Sequence, residues 1–185
     1  MTAPSAPAAR RFEGRTVRVT GAARGLGRAI AVAFAAEGAW VALGYHRGAD
    51  EAEAALAEVR AHGGNGHGMT LGFDVADRAA VDSAVKRLVE ERATIDVLVN
   101  NAGIARDELF PLIDPRSWDE VMAVNVTGPL HLCRAVARPM MARRSGVIVN
   151  IGSVASVRSV PGQSSYAISK AALAAMTRTL ALELA

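Results

Sequence analysis

The sequence predicts an α/β protein with a doubly wound parallel sheet, and three observations support that fold class. Short apolar runs alternate with long Ala-rich stretches in the order βαβαβαβαβα. Some apolar runs, such as Val97-Leu98-Val99, are continuous, which is typical of parallel strands that helices cover on both faces. Glycines lie between the first strand and the first helix, where such a sheet has its ligand crevice, at the carboxyl ends of the strands.

Five strands and five helices follow from this pattern. The strands are predicted at residues 16–20, 39–44, 69–73, 95–99 and 147–151, and the helices at residues 25–37, 50–62, 77–92, 117–141 and 164–185. Gly38 occupies the position that commonly ends a helix. Ser117 and Glu120 have the spacing of a capping box, so Ser117 is expected to cap the fourth helix. Pro129 predicts a kink within that helix.

Length, composition and charge limit the functions that fit. With 185 residues, of which 51% are hydrophobic, the chain is long enough for one domain with a core, predicted at residues 12–185 after a flexible tail at residues 1–11. That tail lacks the apolar segment of a signal peptide, and no apolar run reaches the ~18 residues that a membrane span requires. The 21 basic and 18 acidic residues are interspersed, so no nucleic-acid partner is expected. The single cysteine, Cys133, fits a reducing cytoplasm.

One residue conflicts with the predicted first strand. Arg18 lies in the middle of that strand, where a central parallel strand is expected to be apolar on both faces. A buried guanidinium needs a partner, and the sequence reveals none for Arg18.

The segment Thr20-Gly21-Ala22-Ala23-Arg24-Gly25-Leu26-Gly27 joins the first strand to the first helix. Glycines at such a turn let the backbone approach a pyrophosphate, and the helix N-terminus offers free N–H groups to that anion. The segment therefore predicts a dinucleotide site that includes Gly21, Gly25, Leu26 and Gly27. The alternative is an ordinary Gly-rich loop between a strand and a helix.

The end of the second strand bears on which dinucleotide binds. An acidic residue there would bond the ribose 2′-hydroxyl and favour NAD, but no carboxylate follows Leu43 until Asp50. Arg47, and Arg24 in the glycine-rich segment, would pair with a 2′-phosphate. We therefore expect NADP(H) as the cofactor. The alternative is that both arginines are solvated surface residues.

The ends of the third and fourth strands carry further candidates for cofactor binding. Asp74, which Val75 follows, either accepts a hydrogen bond from an adenine amino group or caps the next helix. The run Asn100-Asn101-Ala102-Gly103 ends the fourth strand, where small residues and amides let the backbone approach a cofactor. An Asn-Gly-type turn is the alternative for this run.

Tyr166 and Lys170 lie four residues apart in the last helix, so they face the same side. A free tyrosine has a pKa of about 10, and a cation within ~4–6 Å lowers that pKa by roughly one to three units. The phenol would then exchange a proton with an alcohol or carbonyl oxygen. Ser153, after the fifth strand, either holds the same substrate oxygen or caps the backbone. For Tyr166 and Lys170 the alternative is an exposed pair without function.

Together these motifs resemble the short-chain dehydrogenase/reductase family. The ordered set is the glycine-rich turn, the run from Asn100 to Gly103, then Asn125, Ser153, and Tyr166 with Lys170. The resemblance implies a Rossmann-like fold in which Tyr166 is the general acid of a carbonyl reduction. It implies that Lys170 lowers the pKa of Tyr166 and binds nicotinamide ribose hydroxyls, and that Ser153 positions the substrate carbonyl. Asn125 would hold a water that links Lys170 to a proton relay, at a deformed place in the fourth helix.

Two segments, residues 101–107 and 151–154, are most similar to those of 3-oxoacyl-[acyl-carrier-protein] reductases within the family. This similarity implies a cytoplasmic enzyme of fatty acid biosynthesis that reduces a small or carrier-bound 3-oxoacyl thioester with NADPH and without a metal. The family also implies a homo-oligomer whose subunits meet through the two long helices, at residues 117–141 and 164–185.

The predicted last helix is still unfinished at Ala185. Members of the family continue with further strands and a lid over the substrate, so we expect the last strands and the lid to be missing here. The exposed edge beside the fifth strand would then be an aggregation liability. Two functions remain open: a carbonyl reductase, or a shortened nucleotide-binding or partner-binding protein without catalysis.

Overall fold

The computed structural model describes residues 10–63, 67–158 and 160–185. Of the predicted flexible tail, only residues 10 and 11 are among them. Five parallel strands form one sheet in the described part of the chain: β1 (Thr16–Val19), β2 (Trp40–Tyr45), β3 (Met69–Gly72), β4 (Val97–Asn100) and β5 (Val147–Asn150). Their order is β3-β2-β1-β4-β5, which confirms the predicted doubly wound parallel sheet.

Helices connect these strands at the predicted places, with ends that differ by one or a few residues. They are α1 (Gly25–Ala36), α2 (Ala49–Gly63), α3 (Arg78–Arg92), α4 (Pro115–Met122), α5 (Gly128–Arg143) and α6 (Ser164–Glu183). Short 3₁₀ turns lie at Phe110–Leu112 and Val154–Ser156. Within the described residues, no helix is both long enough and apolar enough to cross a membrane.

The single helix predicted at residues 117–141 is divided in the structure. A π-helical turn, Ala123–Thr127, separates α4 from α5. Pro129 follows this turn, lacks a backbone N–H, and has a ring that would clash with the carbonyl of Asn125 in a regular α-helix. The wider turn avoids that clash, so the predicted deformation is confirmed and lies just before the proline.

The start of α4 differs from the prediction. Asp114, rather than Ser117, caps the helix, because its carboxylate accepts a hydrogen bond at 3.0 Å from the backbone N–H two residues later. Pro115 occupies the first helical position, which suits proline since the N–H it lacks would have no helical partner. Glu120 pairs instead with Arg106, at 2.9 Å. The predicted capping box is therefore wrong.

Helices cover both faces of the sheet. One apolar layer lies between the sheet and helices α1 and α2, and it includes Val97 and Val99 of β4. The other lies between the sheet and helices α3 and α5, and it includes Leu98. Alternate residues of β4 thus point to opposite faces, and all three are buried. This burial on both faces is what the continuous apolar run predicted.

Strand β5 forms one edge of the sheet. It pairs with β4 and with no other strand of the described chain. Val147 and Val149 are 54% and 37% exposed, whereas their register partners in β4, Val97 and Val99, are buried. The exposed parallel edge predicted beside the fifth strand is therefore present.

Candidate active site

The glycine-rich turn after β1 has a backbone that only glycine adopts readily. Gly21 and Gly25 have φ angles of +61° and +55°. A Cβ on Gly27 would overlap the carbonyl of Gly21 and the side-chain amide of Asn101, so α1 begins closer to the strand ends than another residue would allow. Each of the three glycines is thus required by the local geometry.

Asn101 holds this turn from the end of the neighbouring strand. Its Nδ2 donates to the carbonyls of Thr20 and Gly21, at 2.9 and 3.1 Å. The Thr20 hydroxyl accepts from the backbone N–H groups of Asn101 and Ala102, both at 3.0 Å. The sequence predicts Asn101 as a cofactor contact, and in the structure its side chain binds the turn itself.

The N-terminus of α1 can receive an anion. The side chain of its cap residue, Arg24, makes no capping bond to the described residues, and the first turn carries no acidic residue. Arg24, Gly25 and Leu26 are exposed. Free N–H groups and the positive end of the helix dipole suit a pyrophosphate, and the missing Cβ atoms leave room for it. The residues of this cradle therefore fit a dinucleotide.

The ends of β2 and β3 lie next to each other. His46 and Arg47 follow β2 and are exposed, and the imidazole Nε2 of His46 lies 3.9 Å from the carboxylate of Asp74. Asp74 accepts from the backbone N–H of Ala76 at 2.9 Å. Asp77 caps α3 by accepting from two backbone N–H groups. Of the two alternatives for Asp74, capping of that helix is therefore excluded, because Asp77 adjoins the helix and occupies the capping position.

The remaining predicted cofactor contacts lie at the same carboxyl edge of the sheet. Val75, after β3, is 7% exposed, whereas Ala102 is half-buried and Gly103 is exposed after β4. The Cα of Ala102 lies 3.0 Å from the position that a Cβ on Gly21 would take. The ends of β1 and β4 are thus in close contact beside the glycine-rich turn.

Asn125 is buried in the π-helical turn, at the kind of deformed place that the resemblance implies. Its Oδ1 accepts from the backbone N–H of Ile104 at 2.9 Å, and its Nδ2 donates to the Ile104 carbonyl at 2.8 Å. The same Nδ2 donates to Ser169 Oγ at 3.0 Å. The side chain of Asn125 therefore joins the loop after β4 to α6.

Lys170 has its ammonium at the end of β5. The residue is 4% exposed, and Nζ donates to the carbonyl of Ile151 at 2.8 Å. Burial lowers the pKa of Lys170, because desolvation disfavours the charged form. A Cβ on Gly103 would lie 3.3 Å from Asn125 Oδ1 and 3.6 Å from Lys170 Nζ. Gly103, Asn125 and Lys170 are therefore brought together.

Tyr166 lies one helical turn before Lys170, whose Nζ is 5.8 Å from the centre of the tyrosine ring. Ser153 lies two residues after Ile151, the acceptor of the lysine. The Oγ of Ser153 accepts from the backbone N–H of Ala155 at 3.1 Å, so the capping alternative is observed. Its proton can still be donated, because a serine hydroxyl both donates and accepts.

A polar ladder attaches α6 to the sheet, and the sequence does not predict it. Asn100 Nδ2 donates to Asn150 Oδ1 at 2.8 Å, and Asn150 Nδ2 donates to Thr177 Oγ1 at 2.9 Å. The Thr177 hydroxyl donates in turn to the carbonyl four residues earlier in α6. Ile151, which binds Lys170, directly follows Asn150, so the ladder meets the sheet next to the lysine.

Sequence reasoning also overlooks two other contributors to the site, Ile104 and Ser169, and it does not predict the hydrogen bonds of Thr20. Ser169 bonds both Asn125 and the carbonyl of Tyr166, and its place three residues after the tyrosine and beside the lysine is a usable signal. Thr20 and Ile104 bind partners more than 20 residues away, and no local spacing indicates such bonds.

The chain resembles known proteins over nearly its whole length. A family model described as short chain dehydrogenase matches residues 15–185. A 3-oxoacyl-[acyl-carrier-protein] reductase of Synechocystis sp. is 41% identical over 167 residues, which cover 90% of this chain and 67% of the relative. The 3-oxoacyl-[acyl-carrier-protein] reductase FabG of Staphylococcus aureus is 37% identical over 171 residues, which cover 92% of this chain and 69% of the relative.

Solved structures agree with the fold. An NAD⁺-bound xylitol dehydrogenase has a TM-score of 0.88 at 36% identity, over 94% of this chain and 66% of that one. A metagenomic short-chain oxidoreductase in complex with NADP has a TM-score of 0.88 at 33% identity, over 94% of this chain and 77% of that one. The chain spans about two thirds of the length of the curated relatives. It belongs to the short-chain dehydrogenase family, a family of oxidoreductases that bind nicotinamide cofactors.

Proposed function

We propose that this chain carries the cofactor-binding and catalytic residues of an NADPH-dependent reductase of 3-oxoacyl thioesters. The observation that carries the proposal is the buried ammonium of Lys170, 2.8 Å from the Ile151 carbonyl and 5.8 Å from the centre of the Tyr166 ring. The glycine-rich cradle for a dinucleotide lies at the same edge of the sheet. The bound nicotinamide supplies the hydride, and the protein supplies orientation and a proton.

Tyr166 is the proposed general acid. Its ring centre lies 5.8 Å from the ammonium of Lys170, and its phenolic O–H would donate the proton to the substrate oxygen. The Ile151 carbonyl takes one of the three N–H donors of Lys170. The other two are available for ribose hydroxyls of the dinucleotide.

Ser153 and Asn125 complete the proposed site. Ser153 accepts from Ala155 and donates its own proton to the substrate oxygen, which holds that oxygen near the phenol. Asn125 fixes the loop after β4 to α6 through Ile104 and Ser169. The water that Asn125 is predicted to hold would replace the proton that Tyr166 gives up.

The proposed cofactor and substrate rest on separate observations. Arg24 and Arg47 are both exposed at the crevice, and β2 is followed by a histidine where an acidic residue would favour NAD. The curated relatives from Synechocystis and Staphylococcus are named 3-oxoacyl-[acyl-carrier-protein] reductases. The arginines favour NADPH as the cofactor. The relatives favour an acyl thioester with a 3-oxo group as the substrate, either small or bound to a carrier.

The test is the oxidation of NADPH by the purified chain with an acetoacetyl thioester, followed at 340 nm. Tyr166→Phe should lower kcat by about 10²-fold or more and leave the Kd of NADPH unchanged, because only the proton donor is lost. Absence of turnover on any ketone would contradict the reductase proposal. Tight NADPH binding without turnover would favour the alternative, a non-catalytic nucleotide-binding protein.

We also propose that the protein is a cytoplasmic homo-oligomer that assembles through α4–α5 and α6. Leu130 and Met141 on α5 and Ile168 on α6 are large apolar side chains that remain exposed. Light scattering on the purified chain tests this proposal, and a mass that corresponds to one chain would contradict it.

A further inference from the structure

Arg18 is a buried cation that the proposed mechanism does not use. It occupies the middle of β1, and its exposure is 0%. None of its three guanidinium nitrogens has a hydrogen-bond partner among the described residues, and no described carboxylate lies within salt-bridge distance. The guanidinium carbon lies 4.7 Å from the centre of the Phe73 ring, and this aromatic face is the partner that the sequence did not reveal.

This arrangement opposes folding. A charge taken out of water without a counter-charge is strongly destabilising, and stacking on one ring offsets only part of that effect. Burial lowers the pKa of Arg18 to about 9, which reflects the same desolvation. An anion bound nearby would offset the effect further.

The position of the guanidinium indicates where such an anion would bind. Arg18 is level with Ala42 of β2, which is level with Met69 of β3. Phe73 lies four residues beyond Met69 toward the carboxyl edge of the sheet, roughly 13 Å along the strand at about 3.3 Å per residue. Because the guanidinium reaches the Phe73 ring, the Arg18 side chain extends toward the crevice.

The same geometry brings the charge close to the proposed cofactor site. Phe73 directly precedes Asp74 and Val75, the candidate adenine contacts. Arg18 itself precedes the glycine-rich turn by two residues, and that turn is the proposed cradle of the pyrophosphate. The guanidinium therefore lies below the crevice, between the two parts of the site.

We propose that Arg18 strengthens dinucleotide binding electrostatically, as a buried positive charge below the crevice that attracts the phosphates without touching them. This inference rests on the proposed function, because it assumes that a dinucleotide binds there. The apolar layer around Arg18 screens its field less than water would, so the attraction persists at high salt. Binding and stability are thus opposed at this residue: the charge destabilises the free protein and favours the complex.

Arg18→Met tests the inference, since methionine replaces the charge with an apolar side chain of similar length. Titration of NADPH and NADH fluorescence should give Kd values at least tenfold higher for Arg18→Met than for the wild type, because a single phosphate charge about 10 Å away has roughly that effect at an effective dielectric constant of about 20. The ratio should be the same in low and high salt. Without a dinucleotide, Arg18→Met should have the higher Tm.

Two controls separate charge from packing. Arg18→Gln removes the charge and keeps a polar side chain, so it should raise both Kd values as much as Arg18→Met does. Arg92→Met removes another arginine that stacks on an aromatic ring. The guanidinium carbon of Arg92 lies 4.8 Å from the centre of the Trp40 ring, at the amino-terminal end of β2 and so at the end of the strands away from the crevice. Arg92→Met should leave both Kd values unchanged.

The outcomes are distinct. If Arg18→Met binds NADPH and NADH as tightly as the wild type, this inference is overturned and the proposed function stands. If the wild type binds neither dinucleotide, both this inference and the proposed function are contradicted. If Arg18→Met does not fold, Arg18→Gln provides the neutral side chain for the same comparison.

Discussion

Gly27 shows how a single hydrogen atom in place of a side chain determines the shape of the candidate site. Its Cα faces the carbonyl of Gly21 and the amide of Asn101, with no space for a methyl group. The Asn101 amide, in turn, bonds the carbonyls of Thr20 and Gly21. The proposed dinucleotide cradle therefore consists of backbone atoms, and the side chain of Asn101 holds that backbone in place.

Gly27→Ala should break this contact. The added Cβ forces α1 away from the turn, so we expect a loss of about 1–3 kcal/mol of stability and a loss of NADPH binding of tenfold or more. Urea denaturation and fluorescence titration measure the two effects. Gly152→Ala is the control, because a Cβ at Gly152 meets no atom within 4 Å. Equal stability of both variants would show that the turn can move without loss.

Arg47 provides a second prediction for a single residue. Because Arg47 is exposed after β2, its charge is expected to act on the 2′-phosphate and on little else. Arg47→Gln should therefore raise the Kd of NADPH about tenfold and leave that of NADH nearly unchanged, with a smaller difference at high salt. Equal effects on both dinucleotides would contradict the proposed role in recognising NADP.

Helix α6 contributes two residues to the candidate site, Tyr166 and Lys170. The ladder Asn100–Asn150–Thr177 ties this helix to the two strands beside it by hydrogen bonds of 2.8 and 2.9 Å. Directional bonds of this kind fix how far the helix slides along the sheet, which apolar packing alone restrains less. The ladder therefore determines the height of the tyrosine above the strand ends.

Thr177→Val removes the hydroxyl from this ladder and keeps the shape of the side chain. We expect a loss of about 1–2 kcal/mol of stability, because the amide of Asn150 loses its acceptor. We also expect kcat to fall several-fold while the Kd of NADPH is unchanged. Thr177→Ser restores the hydroxyl and should recover kcat. If Thr177→Ser remains as slow as Thr177→Val, the ladder does not position α6.

The elements themselves were predictable because apolar periodicity is local. The five strands and the glycine-rich turn are each visible within a dozen residues. The cap of α4 was not, because Asp114 and Ser117 both have capping side chains and only the position of Pro115 decides between them. The ladder was not predictable either, because its bonds join residues 50 and 27 positions apart. Local patterns thus predicted the elements and the glycine-rich turn, but not the contacts that hold the candidate site residues in place.

For the molecule as a whole, stability and binding depend on how charge is distributed in the core. The layer between the sheet and helices α3 and α5 is apolar apart from Arg18 and a few amides and hydroxyls. Arg18, which is fully buried and has no ion pair with any described residue, makes the stability of the free protein depend on pH in an unusual direction. Most proteins lose stability as pH rises above the optimum, whereas Arg18 contributes the opposite trend.

The contribution of Arg18 to unfolding can be predicted from its pKa, which burial lowers to about 9. Below pH 9 the guanidinium is charged in both states and its full penalty applies. Above pH 9 the folded protein binds fewer protons than the unfolded chain, so this penalty diminishes as pH rises. Arg18→Met has no such penalty, and its advantage over the wild type should shrink at high pH.

Urea denaturation of both proteins at pH 7.5 and pH 10 measures that difference. The advantage of Arg18→Met should be smaller at pH 10. Burial also shifts the pKa values of Lys170 and Cys133, but both residues are present in both proteins and their effects cancel in the difference. An advantage that stays constant between the two pH values would show that Arg18 remains fully charged in the folded protein.

Asn100 and Asn101 are consecutive residues at the end of β4, yet they bond opposite parts of the molecule. Asn100 is the first member of the ladder to α6, and Asn101 binds the glycine-rich turn. The end of β4 therefore holds two parts of the candidate site. Asn100 connects it to α6, which bears the proposed proton donor, and Asn101 connects it to the glycine-rich turn, which is the proposed cofactor cradle. A shift of this end of β4 would therefore move the proposed proton donor and the proposed cofactor cradle together, and the distance between them would be preserved.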